Sequence, residues 1–400
     1  MRRPELDNIL GTMLDSQPEV SDLLFTVGKP LQVESFGELK RVDYSPSIER
    51  LTPFQTEMIA LNLMGDNQWQ IADLLRRGSC DAAYTLGDRA RFRINIFSQR
   101  GNYSVVLRQL NTVVPTLESL KFPDIIGQLP REKTGLILVT GATGSGKSTT
   151  LAAVLNEINN TKAVHVITLE DPIEFVHPHR TATFNQRELG ADFDSFSSGL
   201  RAALRQAPKV ILVGEMRDRD TVKIALSAAE TGHLVLSTLH TIDAGQTINR
   251  ILGMFETEEQ EQIRTRLADT LRWVISQRLV PRIEGGRHAL LEIMGSNLRT
   301  QETIRLGEAE GKSFYEIIEA SQPFGWKTFD HSALEAFEQG KITEENALLY
   351  CTKRGTVARG IDNLKKTRGE CTYDINALRM KPGQEKNSGQ TPVPATLRLK

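Results

Sequence analysis

The sequence predicts an α/β protein, with a parallel sheet covered on both faces by helices and a smaller α+β domain in front of it. Three observations carry this. From Gly135 onward, short apolar runs alternate with stretches of helical period. A Gly-rich loop joins the first run to the first such stretch, and the residues before it show mixed, shorter strands without that alternation. The runs are Leu136 to Val139, Val164 to Leu169, Val210 to Val213 and Leu234 to Leu236. Runs this short and this rich in Val, Ile and Leu suit strands buried on both faces.

In chain order, residues 1–112 read as the α+β domain, with strands at Leu23 to Val27 and Phe92 to Phe97 bounded by Gly, Pro and Asp. One helix start is explicit: Thr52 caps, Pro53 takes the first helical position, and Gln55 completes a capping box. Residues 113–122, with Val113-Val114-Pro115-Thr116, read as a linker, and 123–376 as the larger domain. Within it, Thr257 to about Leu279 is expected to form one helix. Thr257 and Gln260 would box its start, and Ile263, Leu267, Leu271 and Val274 would form its apolar stripe. From about residue 297 the chain reads as helices broken near Gly311, Pro323-Phe324-Gly325 and Gly340, and residues 377–400 as a polar, disordered tail.

Composition narrows the function. The chain has 400 residues, 39% hydrophobic and 25% charged, as soluble globular domains do. A formal net charge of −1 gives no global attraction to nucleic acid or to an anionic membrane, so no direct nucleic-acid partner is expected. The cysteines Cys80, Cys351 and Cys371 have no C-x-x-C spacing, which excludes a tetracysteine zinc site and suits reduced thiols in the cytoplasm. The first residues lack the apolar core of a signal peptide. No run reaches the roughly 18 apolar residues of a transmembrane segment. Any membrane role is therefore expected to be peripheral and carried by a partner.

The chemistry sits in the loops after the apolar runs. Gly141-Ala142-Thr143-Gly144-Ser145-Gly146-Lys147-Ser148 fits the phosphate-loop pattern G-x-x-x-x-G-K-[ST]. Its glycines let backbone N–H groups turn around phosphate oxygens. Lys147 supplies charge at the β and γ phosphates of ATP, and the Ser148 hydroxyl is a ligand for Mg²⁺. Thr149 follows in the same nucleotide-binding stretch. The other runs lead into Glu170-Asp171-Pro172-Ile173-Glu174, Gly214-Glu215, and Ser237-Thr238-Leu239-His240-Thr241. Ligands of open α/β sheets bind beyond the carboxyl ends of the strands, so these ends are expected to share one nucleotide site. Glu215 ends a Walker B strand and holds the metal, although Gly214 stands where that motif usually has Asp. Glu174 is the expected general base, with Glu170 and Asp171 as alternatives that otherwise read as caps or turn residues. A lone histidine is more often structural than catalytic, but His240 at a strand end has the γ-phosphate within expected reach. His233 precedes its strand and belongs nearer a subunit boundary. In Arg89-Ala90-Arg91-Phe92-Arg93, alternation puts Arg91 and Arg93 on one strand face, and Arg108 follows a hairpin. A solvated basic face is the common explanation; arginines offered to a phosphate are the alternative.

Together these motifs resemble the secretion ATPases of type IV pili, above all retraction ATPases of the PilT/PilU type, from about Ser21 to Gly369. That family has a phosphate loop, an acidic box, a Walker B strand ending in Gly-Glu and a His box in this order; here they are Gly141 to Ser148, Thr168 to Glu174, Val210 to Glu215 and Thr231 to Thr241. The resemblance implies a RecA-like P-loop ATPase domain behind a PAS-like domain that supplies arginines, with Arg91, Arg93 and Arg108 at the matching places. It further implies a cytoplasmic homohexamer, peripheral at the inner face of the cytoplasmic membrane, that docks on an inner-membrane pilus platform protein and retracts pili for twitching motility. Two departures stand out. Gln206-Ala207-Pro208 is closer to the PilU variant, and Thr303-Ile304-Arg305-Leu306 only partly echoes the PilT retraction helix. They motivate an alternative, an accessory nucleotide-binding regulator working beside a paralogous retraction ATPase. A RecA-like nucleic-acid motor is a third reading, disfavoured by the net charge and the lack of a basic–aromatic tract.

Overall fold

The computed structural model describes residues 2–110 and 113–369. Cys371 and the tail expected to be disordered lie outside the described residues. The first domain opens with a helix that sequence reading passed over, α1 (Arg3–Asp15). Its signal was present: Leu6, Ile9, Leu10 and Met13 recur at helical spacing, and all four are buried in the domain's own core. There follow β1 (Val20–Phe25), β2 (Gln32–Ser35), β3 (Glu38–Arg41), α2 (Pro53–Met64), α3 (Gln68–Arg77), β4 (Ser79–Leu86), β5 (Ala90–Gln99) and β6 (Asn102–Leu110). The six strands form one sheet in the order β3-β2-β1-β6-β5-β4, every pairing antiparallel. The α2 capping box is formed as read: Thr52 Oγ1 accepts from Gln55 N–H while Gln55 Oε1 accepts from Thr52 N–H. β5 alternates as its sequence requires, with Phe92, Ile94 and Ile96 fully buried and Arg91 and Arg93 together on the opposite face.

The second domain runs β7 (Gly135–Thr140), α4 (Lys147–Thr161), β8 (His165–Glu170), β9 (Thr183–Glu188), α5 (Phe196–Ala203), β10 (Val210–Val213), α6 (Arg219–Glu230), β11 (Leu234–Leu239), α7 (Ala244–Leu252), α8 (Thr257–Thr270), β12 (Leu271–Pro281) and β13 (Arg287–Gly295). The sheet order is β13-β12-β7-β11-β10-β8-β9, parallel throughout except for β13. All residues of β7, β10 and β11 are buried, as the apolar runs implied. Fully burying each Val, Leu or Ile contributes about 1.5–3 kcal/mol, so three such strands set the frame of the site. β9 was not read from sequence because its residues Thr-Phe-Asn-Gln-Arg-Glu are mostly polar, which an edge strand tolerates.

One expected helix is corrected. The stretch from Thr257 to Leu279 is helical only to Thr270 and then becomes β12. Ile263 and Leu267 face the core from the helix, whereas Leu271 and Val274 do so from the strand. Apolar spacing alone allowed both; Trp273, Val274, Ile275 and Val280 favour a strand, and pairing with β7 and β13 satisfies its backbone on both sides. The expected box is also absent: Glu256 is the N-cap without a side-chain bond, and Gln260 Nε2 donates to the Phe255 carbonyl.

The described residues close with α9 (Leu298–Leu306), α10 (Phe314–Ala320), α11 (Phe329–Glu338), α12 (Glu344–Tyr350) and α13 (Arg354–Thr367). The last three share a small core with Val280 and Leu290 of the sheet. Among the described residues, no helix is long and apolar enough to cross a membrane.

Candidate functional site

The carboxyl ends of β7, β8, β10 and β11 open into one cleft of about 550 Å³. This is the strand-end crevice where open α/β sheets bind ligands. The loop after β7 can turn there only because of its glycines. Gly141 has φ +144°, and a Cβ on it would lie 2.4 Å from the Gln277 carbonyl and 2.5 Å from Ser145 Oγ. Gly146, at φ +89°, is the N-cap of α4, and a Cβ there would meet Gln277 Nε2 at 2.9 Å. Gln277 of β12 thus braces the loop from behind, and its Oε1 accepts from Thr150 Oγ1 at 2.8 Å. Thr143, Gly144, Gly146, Lys147, Ser148 and Thr149 line the cleft. Gly141 and Ser145 are buried and Ala142 is exposed, and among the described residues Ser145 Oγ has no hydrogen-bond partner. The amino end of α4 adds free N–H groups and the positive end of the helix dipole, which favour an anion.

The charged groups of the cleft act on one another. Lys147 Nζ donates to the carbonyls of Gly141 and Ala142 at 2.9 and 3.0 Å. Burial lowers its pKa, and Glu174 and Glu215 oppose that shift. Glu215 Oε1 pairs with Arg217 Nε at 2.7 Å, and its Oε2 lies 3.7 Å from His240 Nε2. Burial and the neighbouring Lys147 lower the pKa of His240. Gly214 before Glu215 has a packing reason: a Cβ there would sit 3.0 Å from the Leu169 carbonyl, which already accepts from Gly214 N–H at 2.7 Å. A Walker B Asp would crowd β8 at that point.

Glu170 is half-buried and held, accepting from Thr168 Oγ1 at 2.6 Å and Gln186 Nε2 at 3.0 Å. Burial raises its pKa, as it does for Asp171, where Arg93 opposes the shift. Glu174 lines the cleft, and among the described residues its side chain has no hydrogen-bond partner, so it is the freer carboxylate.

Of the three arginines read on the first domain, Arg93 reaches the cleft. Arg91 points to the same side but is engaged with Glu188 at 3.0 Å and the Ile173 carbonyl at 3.2 Å. Arg108, the cross-strand neighbour of Arg93, pairs with Asp22 at 2.9 Å and does not line the cleft. His233 lies at the amino end of β11, opposite the site, with Nδ1 3.0 Å from the Ala228 carbonyl. Sequence reading missed Gln186, Gln277, Arg217 and Arg287, of which Arg217 and Arg287 line the cleft. Arg217, two residues after Glu215, was within reach of the motif; the others sit on β9, β12 and β13, which had not been read as strands.

Residues 61–347 match the family described as Type II/IV secretion system protein. The chain belongs to that family. It is 38% identical to the type IV pilus ATPase PilU of Pseudomonas aeruginosa over 86% of this chain and 88% of that one. It is 40% identical to the type IV pilus retraction ATPase PilT of the same organism, over 82% and 93%. Among solved structures, the pilus retraction motor PilT with bound ADP superposes with a TM-score of 0.79 at 40% identity, covering 88% of this chain and 98% of that one. The phosphate loop, acidic loop and strand ends described above are thus set in a secretion-ATPase fold with an amino-terminal domain.

Proposed function

We propose that this protein is an ATP-hydrolysing motor that powers type IV pilus retraction, and with it twitching motility, as a homohexamer. The observation that carries the reading is the convergence of the phosphate loop, Glu174, Glu215, His240 and Arg93 on one cleft. The phosphate loop and the amino end of α4 bind the nucleotide phosphates, with Lys147 at the β and γ groups. Glu174 orients and deprotonates the attacking water. His240 and Arg93 meet the γ-phosphate side, and Glu215 keeps Arg217 and His240 in place.

The site also fits a magnesium ion. Among the described residues no group of three or more His, Cys, Asp or Glu is arranged as a metal cage. Ser148 and Glu215 both line the cleft, and as one hydroxyl and one carboxylate they would be the protein's share in holding the ion beside phosphate oxygens and water. When bound, such an ion would neutralise charge on the phosphoryl group as it transfers.

Arg108 and His233, outside the cleft of their own chain, serve a neighbouring subunit's site in the ring. The motor works in the cytoplasm, peripherally at the inner face of the membrane, docked on an inner-membrane platform protein. Similarity to a PilU and to a PilT is nearly equal, so a paralogous retraction ATPase acting beside it is a second reading. A deletion strain decides between them. Retained pili that never retract support the motor; retraction that merely weakens under load supports the accessory role; normal retraction sinks both.

A further inference from the structure

The residue before the proposed base, Ile173, has both of its backbone polar groups held by one ion pair that spans the two domains. Its N–H donates to Glu188 Oε2 at 3.1 Å, and its carbonyl accepts from Arg91 Nε at 3.2 Å. Arg91 Nη2 closes the triangle by donating to the same Glu188 oxygen at 3.0 Å. The pair is well shielded, with the Arg91 and Glu188 side chains 17% and 12% exposed. On the other flank of Glu174, the Phe175 carbonyl accepts from Gln186 Nε2 at 2.8 Å. Gln186 and Glu188 are alternate residues of edge strand β9, so they share one strand face. Both neighbours of Glu174 are therefore pinned by β9, and one of the pins is completed by the first domain.

We infer that Glu188 and Arg91 are positioning residues for Glu174: together they fix the backbone that aims its carboxylate, and Arg91 makes that aim depend on where the first domain sits. The inference rests on the ATPase reading above and deepens it. A base must lie within about 3 Å of the proton it takes, and a displacement of about 1 Å at such a centre can cost about 10²-fold in rate. Phosphate contacts come from the β7–α4 loop, which the pair does not touch, so nucleotide binding is left alone. Arg91 thus acts through the loop backbone, in contrast to an arginine that meets phosphate directly.

Steady-state hydrolysis, ATP affinity and thermal stability of the full-length protein test this. Glu188→Ala and Arg91→Ala should each lower kcat by roughly 10- to 100-fold with KM and ATP affinity within about threefold. Glu188→Gln keeps an acceptor for Ile173 N–H and should retain at least about a third of wild-type kcat, a rescue that general loosening would not give. Because both residues act through one backbone unit, the double variant Arg91→Ala/Glu188→Ala should be little slower than either single variant. Wild-type kcat in Glu188→Ala, equal losses in kcat and ATP affinity with no advantage for Gln, or multiplicative losses in the double variant would each overturn the inference while the ATPase reading stands. A wild-type protein that does not hydrolyse ATP overturns both.

Discussion

The two loops that face each other across the cleft are built on different plans. The phosphate loop, residues 141–148, is held from within its own domain. Its glycines allow the turn, Gln277 braces it, and α4 fixes its far end. The acidic loop, residues 170–174, is held from outside, by Gln186 and Glu188 of an edge strand and by Arg91 of the other domain. The contrast separates two tasks. Under the proposed function, holding phosphates needs only the one domain, whereas placing a base needs both domains in register. On that reading binding would persist if the domains moved apart, and hydrolysis would wait until they came together, the order a force generator requires.

The largest effect expected from this contrast is at Lys147. Lys147→Ala removes the phosphate loop's own charge and should abolish both turnover and tight ATP binding, with a rate loss of at least roughly 10²–10³-fold. Near-normal hydrolysis by the folded variant would break the assignment of that loop. Glu174→Gln strikes the other loop and should cost roughly 10²–10⁴ in kcat while ATP binding stays within a few-fold. If binding and turnover both stay normal, the base is elsewhere, and Glu170 or Asp171 becomes the residue to change.

Arg93→Ala should slow hydrolysis by roughly 10²-fold with little change in thermal stability, because its side chain is exposed at the cleft rather than packed. Mixing Arg93→Ala with Lys147→Ala subunits sharpens the point. Recovered activity in mixed assemblies would show that the arginine reaches a neighbour's nucleotide; no recovery would leave it serving its own chain.

The smallest effect concerns pH. Burial holds the His177 pKa down to about 4, and the ring stacks on Phe184 with centroids 4.8 Å apart. The folded state therefore binds fewer protons here than the unfolded state, whose histidine titrates near about 6.5. Stability from this group is full above that value and is lost as pH falls toward about 4. His177 follows the acidic loop, and its N–H donates to Gln186 Oε1 at 2.7 Å, so acid should loosen that loop before the phosphate loop. Thermal melts from pH 8 to pH 4.5 should show a shallower decline for His177→Phe than for wild type, and parallel curves would refute the point.

The sequence by itself determined the parallel core, the phosphate loop and the placement of carboxylates at strand ends. Each follows from local rules: apolar runs make buried strands, glycines make turns that no other residue allows, and a strand end is a fixed address in an open sheet. The pairing of Arg91 and Arg93 on one strand face was equally legible, because alternation has a period of two. Tertiary structure decided the rest. Whether Leu271 and Val274 continued a helix or began a strand depended on the partners β7 and β13, since their spacing suits both. That Arg93 enters the cleft while Arg91 grips Ile173 and Arg108 stays with Asp22 depended on how one domain packs on the other. Polar β9 carries no periodic signal, yet it supplies both pins of the acidic loop. Hydrogen bonds between residues distant in sequence leave no mark in spacing or hydropathy; they exist only once the sheet has brought the two strands side by side.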